Sequence, residues 1–201
     1  MTTVVVGYDG SPASEAAAFW AAAEAERLTA KLRLVHVLAL PVASSPFGIA
    51  VTLDLEPLRQ AARQLLDKVC RRIRTGHPGL TIDVVVEFGG TAPALLQEAT
   101  DAALVVLGSR GLGEFRDLTA GSVSAHVATH APCPVVVIPP NWTSEDADGV
   151  VVGVDGSELS VDAVDYAFEQ AAARSTTLTA VLAWHDRKST RLNSSHPYRS
   201  R

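Results

Sequence analysis

The chain has 201 residues, of which 47% are hydrophobic, 19% are charged and 5% are aromatic. That length accommodates one domain, or one domain and part of a second. An interior of Val, Ala and Leu is typical of a parallel sheet buried under helices. The formal net charge of −5 argues against a nucleic-acid-binding protein, because contacts to phosphates need clustered Lys and Arg.

Cysteine usage and hydropathy exclude further classes of protein. Cys70 and Cys133 are the only cysteines, and they form neither a disulfide framework nor a zinc-ligand spacing. The N-terminus runs directly into an apolar strand, without a basic region or a cleavage site. No apolar stretch approaches the roughly 20 residues that span a bilayer. We therefore expect a cytoplasmic protein that has no membrane partner.

The first predicted elements are a strand, a helix and a second strand. Val4–Gly7 is a short β-branched run that ends at a glycine, which is typical of a buried strand. Ser11 and Pro12 are preferred types at the N-cap and first position of a helix. The Ala- and Glu-rich segment Ala13–Thr29 favours that helix, and Leu32–Leu38 predicts the next strand.

The same alternation continues to about residue 140. Residues 39–53 carry Pro, Gly and Ser and predict a loop. The elements that follow are a helix over Glu56–Ile73, a strand over Ile82–Val86, a short helix over Pro93–Thr100, a strand over Leu104–Leu107, a helix from Ser122 and a strand over Val135–Ile138. Helical spacing places on the core face of the first of these helices Leu58, Ala62, Leu65, Leu66, Val69 and Ile73. We interpret a basic run on that helix as its solvated face: Arg59, Arg63, Lys68, Arg71, Arg72 and Arg74.

This order of elements predicts an α/β fold with a doubly wound, five-stranded parallel sheet and right-handed crossovers. Sheets of this kind bind ligands at the carboxyl ends of their strands. The loop after the second strand and the Gly-rich turn after the fourth are therefore candidate ligand sites.

An internal repeat divides the chain. Val4-Val5-Val6-Gly7-Tyr8-Asp9-Gly10-Ser11 recurs 146 residues later as Val150-Val151-Val152-Gly153-Val154-Asp155-Gly156-Ser157. A helical segment and a second strand follow in both copies. We predict a complete domain over residues 1–140, a polar linker over 141–149, and the N-terminal part of a second copy over 150–185. The second copy, as written, ends before it reaches a glycine motif of its own.

The last residues have an unusual sequence. Residues 186–196 read Asp-Arg-Lys-Ser-Thr-Arg-Leu-Asn-Ser-Ser-His, which resembles the in-frame translation of a common sequencing adapter. We expect residues 186–201 to be a non-native tail; the alternative is a genuine basic, Ser-rich disordered segment. No functional argument is based on these residues.

A glycine motif follows the fourth predicted strand. Gly108-Ser109-Arg110-Gly111 is separated by nine residues from Gly121-Ser122. Glycines allow positive φ and a close approach of the backbone to a polyphosphate, and successive N–H groups in such a turn bind anions. Gly121 and Ser122 open a helix, whose N-terminus favours negative charge. The Ser122 hydroxyl and Arg110 can add a donor and a charge; the alternative is a Gly-rich connection that binds no ligand.

The motif G-x-x-G-x9-G-[S/T], its place between strand and helix, and the match over residues 3–139 resemble the ATP-binding universal stress proteins. The resemblance implies an adenine nucleotide alpha hydrolase-like, Rossmann-like fold that binds ATP together with Mg²⁺. It implies an adenosine side lined by Gly7, Tyr8 and Asp9, and an adenine edge met by the backbone of Val37. It assigns the ribose and phosphates to Leu107, Gly108, Ser109, Arg110 and Gly111, and the phosphates also to Gly121, Ser122 and Val123.

The family resemblance also bears on partners. Residues 131–138 are similar to the family's final strand, which pairs with its counterpart in a partner domain. This implies a homodimer, or intrachain pairing of tandem domains, together with a regulatory protein partner of unknown identity.

Three functions remain open at the level of sequence. One is a stress-response module that couples ATP occupancy to conformation or partner binding. A second is a slow ATPase or phosphotransferase, although the chain has no P-loop and no clear catalytic set. A third is a dimerisation module with a vestigial nucleotide site. We assign no catalytic residue and no metal ligand; His36 is interpreted as a core or near-site residue, and His126 and His130 as a packed or surface pair.

Overall fold

The protein, described by a computed structural model, forms two compact units, Met1–Trp142 and Thr143–Arg201. The structure describes residues 2–39, 54–109, 121–143 and 149–182. Within these residues no helix combines the length and the apolar composition needed to cross a membrane.

The first unit alternates strands and helices as predicted. Its elements are β1 (Thr3–Gly7), α1 (Pro12–Arg27), β2 (Lys31–Leu38), α2 (Glu56–Gly76), β3 (Ile82–Phe88), α3 (Thr91–Ala99), β4 (Leu104–Gly108), α4 (Ser122–His130) and β5 (Val135–Ile138). The five strands form one sheet in the order β3-β2-β1-β4-β5, and every neighbouring pair is parallel. The predicted doubly wound, five-stranded parallel sheet is confirmed.

The turn between β1 and α1 has the chemistry that the sequence predicts. Gly10 has a φ of +82°, a conformation that glycine adopts without steric cost. Ser11 is the N-cap, and its hydroxyl accepts a hydrogen bond from the Ser14 N–H at 3.2 Å. Pro12 occupies the first helical turn, where it has no intrahelical hydrogen bond to lose. This start of α1 is confirmed.

The sheet is covered on both faces, as its apolar strands require. On one face α1 and α2 pack against β-strand side chains such as Val4, Val6 and Leu34. On the other face Leu95 and Ala99 of α3 and Val127 of α4 pack against the alternate strand residues, which include Val5, Val35, Val105 and Leu107. The carboxyl ends of the strands therefore open between two helical layers.

The buried face of α2 begins one turn later than predicted. Ala62, Leu66, Val69 and Ile73 are buried, whereas Leu58 is 42% exposed. The prediction for Leu58 is wrong because helical spacing identifies a face of the helix but not how far along it the packing extends, and here the buried residues begin at Ala62.

The basic run on α2 is exposed along most of its length, with two residues held against aromatic rings. The guanidinium carbon of Arg59 lies 5.1 Å from the centre of the Phe88 ring, and that of Arg72 lies 5.0 Å from the centre of the Phe19 ring. Cation–π contacts of this kind fix the direction of a long side chain.

The second unit contains β6 (Val150–Val154), α5 (Leu159–Ala173) and β7 (Leu178–Leu182). The two strands are parallel, and Val150 pairs with Leu178 as Val4 pairs with Leu32. Special backbone conformations recur at the same spacing: Gly156 has a φ of +82° like Gly10. The repeat seen in the sequence therefore recurs in local geometry, in the turn and in the strand register.

Candidate functional site

Two of the predicted site segments, the ends of β1 and β4, lie at the point where the order of the sheet reverses. From β1 the chain crosses to β2 and then β3 on one side, while β4 and β5 lie on the other side of β1. Doubly wound sheets open a crevice at the carboxyl ends of the two strands that flank such a point. Here those ends are Gly7 of β1 and Gly108 of β4, followed directly by Asp9 and Ser109.

The two halves of the glycine motif meet beside β4. The Gly121 N–H donates a hydrogen bond to the Ser109 carbonyl oxygen at 2.6 Å, and the Ser109 N–H donates to the Ile138 carbonyl oxygen at 2.8 Å. The first bond joins the end of β4 to the start of α4, and the second ties both to the end of β5. Arg110 and Gly111, also predicted for this site, lie outside the described residues.

The N-terminus of α4 has no side-chain cap among the described residues. Gly121 is its N-cap, with φ −67° and ψ 154°. The first N–H groups of a helix have no intrahelical acceptor, so those of Ser122 and Val123 are available to an anion. The Ser124 hydroxyl turns back to donate to the Gly121 carbonyl oxygen at 2.9 Å. This geometry, together with the helix dipole, suits a phosphate group.

Gly108 serves the packing of the strand and does not adopt the positive φ that we predicted. The described glycines with positive φ are Gly10, Gly89 and Gly156. A Cβ atom on Gly108 would lie 2.7 Å from the Ala13 carbonyl carbon, well inside van der Waals contact. The glycine therefore allows α1 to begin directly against β4, which brings the ends of β1 and β4 together.

The side chains of Leu107 and Val123 also belong to the core. Leu107 is 4% exposed, and a Cβ atom on Gly7 would lie 2.8 Å from its Cδ2. Val123 packs into the same cluster under α3 and α4. Leu107, which is buried, and Gly7, which has no side chain, can therefore present only main-chain atoms to a ligand, a feature that residue types alone do not reveal.

Tyr8 lines a different side of the sheet from these residues. Its N–H donates to the Val35 carbonyl oxygen at 2.8 Å, and its own carbonyl oxygen lies 2.7 Å from Nδ1 of His36. Its side chain is buried in the cluster beneath α1 and α2. Burial, and to a lesser extent the Glu15 charge, raise the pKa of the Tyr8 phenol. His36 is thus a near-site residue whose ring contacts the main chain of Tyr8.

Val37 presents its backbone to a gap in the sheet. The Val35 carbonyl oxygen points toward β1, where it accepts the Tyr8 N–H. Because backbone groups alternate sides along a strand, the N–H and C=O of Val37 point the same way, beyond the end of β1. An amide edge of this kind can pair with the donor and acceptor edge of a flat heterocycle.

Asp9 is fixed in position by its turn. Its Oδ1 accepts the Ser11 N–H at 2.9 Å, and its own N–H donates to the Ser14 hydroxyl at 3.3 Å. Sequence reasoning missed Ser14, which is buried. The Ser14 hydroxyl donates to the Ser11 carbonyl oxygen at 3.0 Å. The repeat could have indicated this residue, because Ser160 occupies the equivalent position and its hydroxyl donates to the Ser157 carbonyl oxygen at 2.7 Å.

The described residues offer donors for an anion and no cluster of metal ligands. No group of three or more His, Cys, Asp or Glu side chains within residues 2–39, 54–109, 121–143 and 149–182 is placed to hold a metal ion. The rings of His126 and His130 stack with centroids 4.3 Å apart, as expected for a packed or surface pair. The described part of the site thus offers main-chain donors that suit an anion.

Comparison with known proteins identifies the family. A model of the universal stress protein family matches residues 1–139 and again residues 148–199. The chain is 34% identical over 188 residues to a universal stress protein of Mycolicibacterium smegmatis, across 91% of this chain and 64% of that protein. The chain therefore spans about 64% of the length of this curated relative.

Solved structures agree in fold. A universal stress protein from Archaeoglobus fulgidus superimposes with a TM-score of 0.72 at 19% identity, over 94% of this chain and 69% of that one. A universal stress protein crystallised in complex with cAMP is 27% identical, with a TM-score of 0.52 over 70% of this chain and 98% of that one. The chain belongs to the universal stress protein family.

Proposed function

We propose that the first unit binds an adenine nucleotide, ATP with Mg²⁺, in the crevice between the ends of β1 and β4. The observation that carries this proposal is the 2.6 Å bond from Gly121 to Ser109, which holds the uncapped start of α4 beside the end of β4. The relative crystallised with cAMP, at 27% identity, supports an adenine nucleotide as the class of ligand.

Most of the predicted residues then have a role that their geometry allows; Tyr8 is the exception, because its side chain is buried beneath α1 and α2. The adenine edge pairs with the backbone of Val37, and the Asp9 carboxylate accepts a hydrogen bond from the ribose. The backbone from Leu107 to Ser109 lies across the crevice from Gly7 and borders the sugar. The phosphates accept hydrogen bonds from the N–H groups of Ser122 and Val123 and from the Ser122 hydroxyl.

Arg110 and Gly111 complete the proposed phosphate site. Arg110 adds a positive charge, and Gly111 lets the backbone approach without a Cβ atom in the way. When bound, ATP brings a polyphosphate whose charge Mg²⁺ offsets.

We assign the site a regulatory role in the stress response. Among the described residues of the crevice, Asp9 is the only carboxylate, and its Oδ1 is engaged by the turn; His36 is engaged with the Tyr8 carbonyl oxygen. Asp9 and His36 therefore both help to hold the turn after β1 in place, and we assign neither of them a catalytic role. A bound nucleotide instead stabilises the folded unit, by about 2.7 kcal/mol at a hundredfold excess over Kd.

Association with another domain is part of the same proposal. β5 is an outer strand of the sheet, and an outer strand offers unpaired backbone groups to a partner. We place the pairing of a second copy, or of a tandem domain, at Val135–Ile138. The recurring β6–α5–β7 geometry supports a second domain of the same kind.

A calorimetric titration of ATP with Mg²⁺ into the full chain tests the proposal. We expect saturable binding near one ATP per chain, since only the first unit carries the whole motif, and its loss in Gly111→Val. Gly79→Val is the matched control, because a Cβ atom on Gly79 meets nothing within 4 Å. Absence of binding in folded protein would contradict the proposal; release of ADP that Gly111→Val abolishes would favour the ATPase alternative.

A further inference from the structure

A second cavity lies on the other side of the first unit, between α1 and α2. Its volume is about 600 Å³, within the range of roughly 300–1,000 Å³ that is common for small-molecule sites. α2 lines it with Leu65, Val69 and a set of basic residues; α1 and the preceding turn contribute Glu15 and Tyr8.

The cavity has an excess of positive charge. Lys68, Arg71 and Arg72 line it, at spacings of three and four residues that place them on one side of α2. Glu15 is its only carboxylate, and it already pairs with Arg72. Within the described part of the chain, Lys68 and Arg71 form no ion pair. Two positive charges therefore remain uncompensated in a protein whose formal net charge is −5.

One cation is held in place before any ligand arrives. The Arg72 guanidinium contacts Glu15 and lies over the Phe19 ring, both on α1. A fixed guanidinium presents two parallel N–H groups, which match the oxygens of a phosphate. The fold thus already orders the Arg72 side chain, so binding a ligand does not lose that conformational entropy.

The floor of the cavity adds a donor and an apolar surface. Burial raises the pKa of Tyr8, so the phenol keeps its proton and can donate a hydrogen bond. The Tyr8 hydroxyl has no hydrogen-bond partner among the described residues. Leu65 and Val69 supply aliphatic carbon beside it.

This cavity is separate from the proposed nucleotide crevice. Val37, Leu107 and Val123 pack in the cluster under α3 and α4, whereas Tyr8 and Val69 belong to the cluster under α1 and α2. We propose that the cavity between α1 and α2 binds a second ligand, a small phosphate monoester with an apolar group. A phosphate monoester carries a charge of about −1.5 to −2 at neutral pH, which matches the two uncompensated cations.

Titration of phenyl phosphate into the full chain, followed by amide chemical shifts and calorimetry, tests the assignment. We expect saturable binding with the largest shifts in residues 65–75 and at Tyr8 and Gly10, which line the cavity. The double variant Lys68→Ala/Arg71→Ala should bind at least tenfold more weakly. The matched control Arg63→Ala/Arg74→Ala removes the same charge from exposed positions of the same helix outside the cavity, and it should bind within twofold of the unmodified chain.

Three results would overturn the assignment. One is the absence of saturable binding; another is an equal loss in the two double variants, which would mean that only the net charge of α2 matters. The third is a set of shifts centred on Ser122 and Val123, which would place the ligand at the start of α4. Because all four substituted side chains are solvent-exposed, the thermal midpoints of both variants should match that of the unmodified chain. ATP binding is measured separately, so either proposal can fail without the other.

Discussion

The start of α4 provides the most specific test of the nucleotide site, through the substitution Gly121→Asp. Gly121 has φ −67° and ψ 154°, a conformation open to any residue. An aspartate at an N-cap accepts a hydrogen bond from the second or third N–H of the helix, here that of Val123 or Ser124. The same carboxylate would occupy a donor that we assign to phosphate and place a negative charge beside it.

The size of the effect follows from that position. Two unit negative charges about 5 Å apart repel by about 3 kcal/mol at an effective dielectric constant near 20. Solvent at an exposed helix terminus weakens this, so we expect a loss of about 1.4–2.8 kcal/mol, or a ten- to hundredfold rise in the Kd for ATP. The fold should not suffer, because an N-cap aspartate is better than glycine by a few tenths of a kcal/mol and its charge favours the helix dipole.

Calorimetric Kd values and thermal midpoints for two variants complete the test. Gly90→Asp is the matched control, since Gly90 is the uncapped N-cap of α3, with φ −77° and ψ 127°, at the end of an outer strand. We expect its Kd for ATP to stay within twofold of the unmodified chain. An unchanged Kd in Gly121→Asp, or an equal loss in Gly90→Asp, would refute the assignment of the phosphates to α4.

Three further predictions concern the framework of the first unit. Gly108→Ala should destabilise the protein by about 1–3 kcal/mol in urea unfolding, because its Cβ would lie 2.7 Å from the Ala13 carbonyl carbon. The control Gly153→Ala should be near neutral, because a Cβ atom there meets nothing within 4 Å. Equal losses of stability in the two variants would contradict this. Ser11→Ala should cost about 1 kcal/mol by removing the cap of α1, and an unchanged midpoint would argue against the cap. Burial raises the pKa of Tyr8 above 10.0, so the contribution of the neutral phenol to stability is intact below pH 10 and is lost as the pH rises through the folded-state pKa. The free energy of unfolding of Tyr8→Phe should therefore fall less than that of the unmodified chain above about pH 10. An equal fall in the two proteins would refute the shift.

Local chemistry explains why much of the first unit could be predicted. Ser11 and Pro12 act within one turn of chain, and the β-branched runs of β1 and β4 are buried whatever covers them. The repeat of Asp9-Gly10-Ser11 in the second unit marked the same turn twice. Such features depend on residues that are close in sequence, so they can be predicted without knowledge of the tertiary fold.

The errors arise where a residue's role depends on distant packing. Gly108 could serve either a positive φ or a close contact, and only the position of Ala13 decides between them. Leu58 has helical core spacing, yet its side chain is exposed, because spacing along one helix does not show which of its turns pack against the rest of the fold. Arg72 is held beside the cavity by Glu15 and Phe19 of α1, which the basic run on α2 alone does not indicate.

Backbone amide shifts of the full chain, followed by NMR as ATP with Mg²⁺ is added, test the nucleotide site most directly. We expect the largest shifts at Ser122, Val123 and Ser109, with saturation near one ATP per chain. Saturable shifts that leave Ser122 and Val123 unchanged would contradict it, because the nucleotide would then bind away from the start of α4.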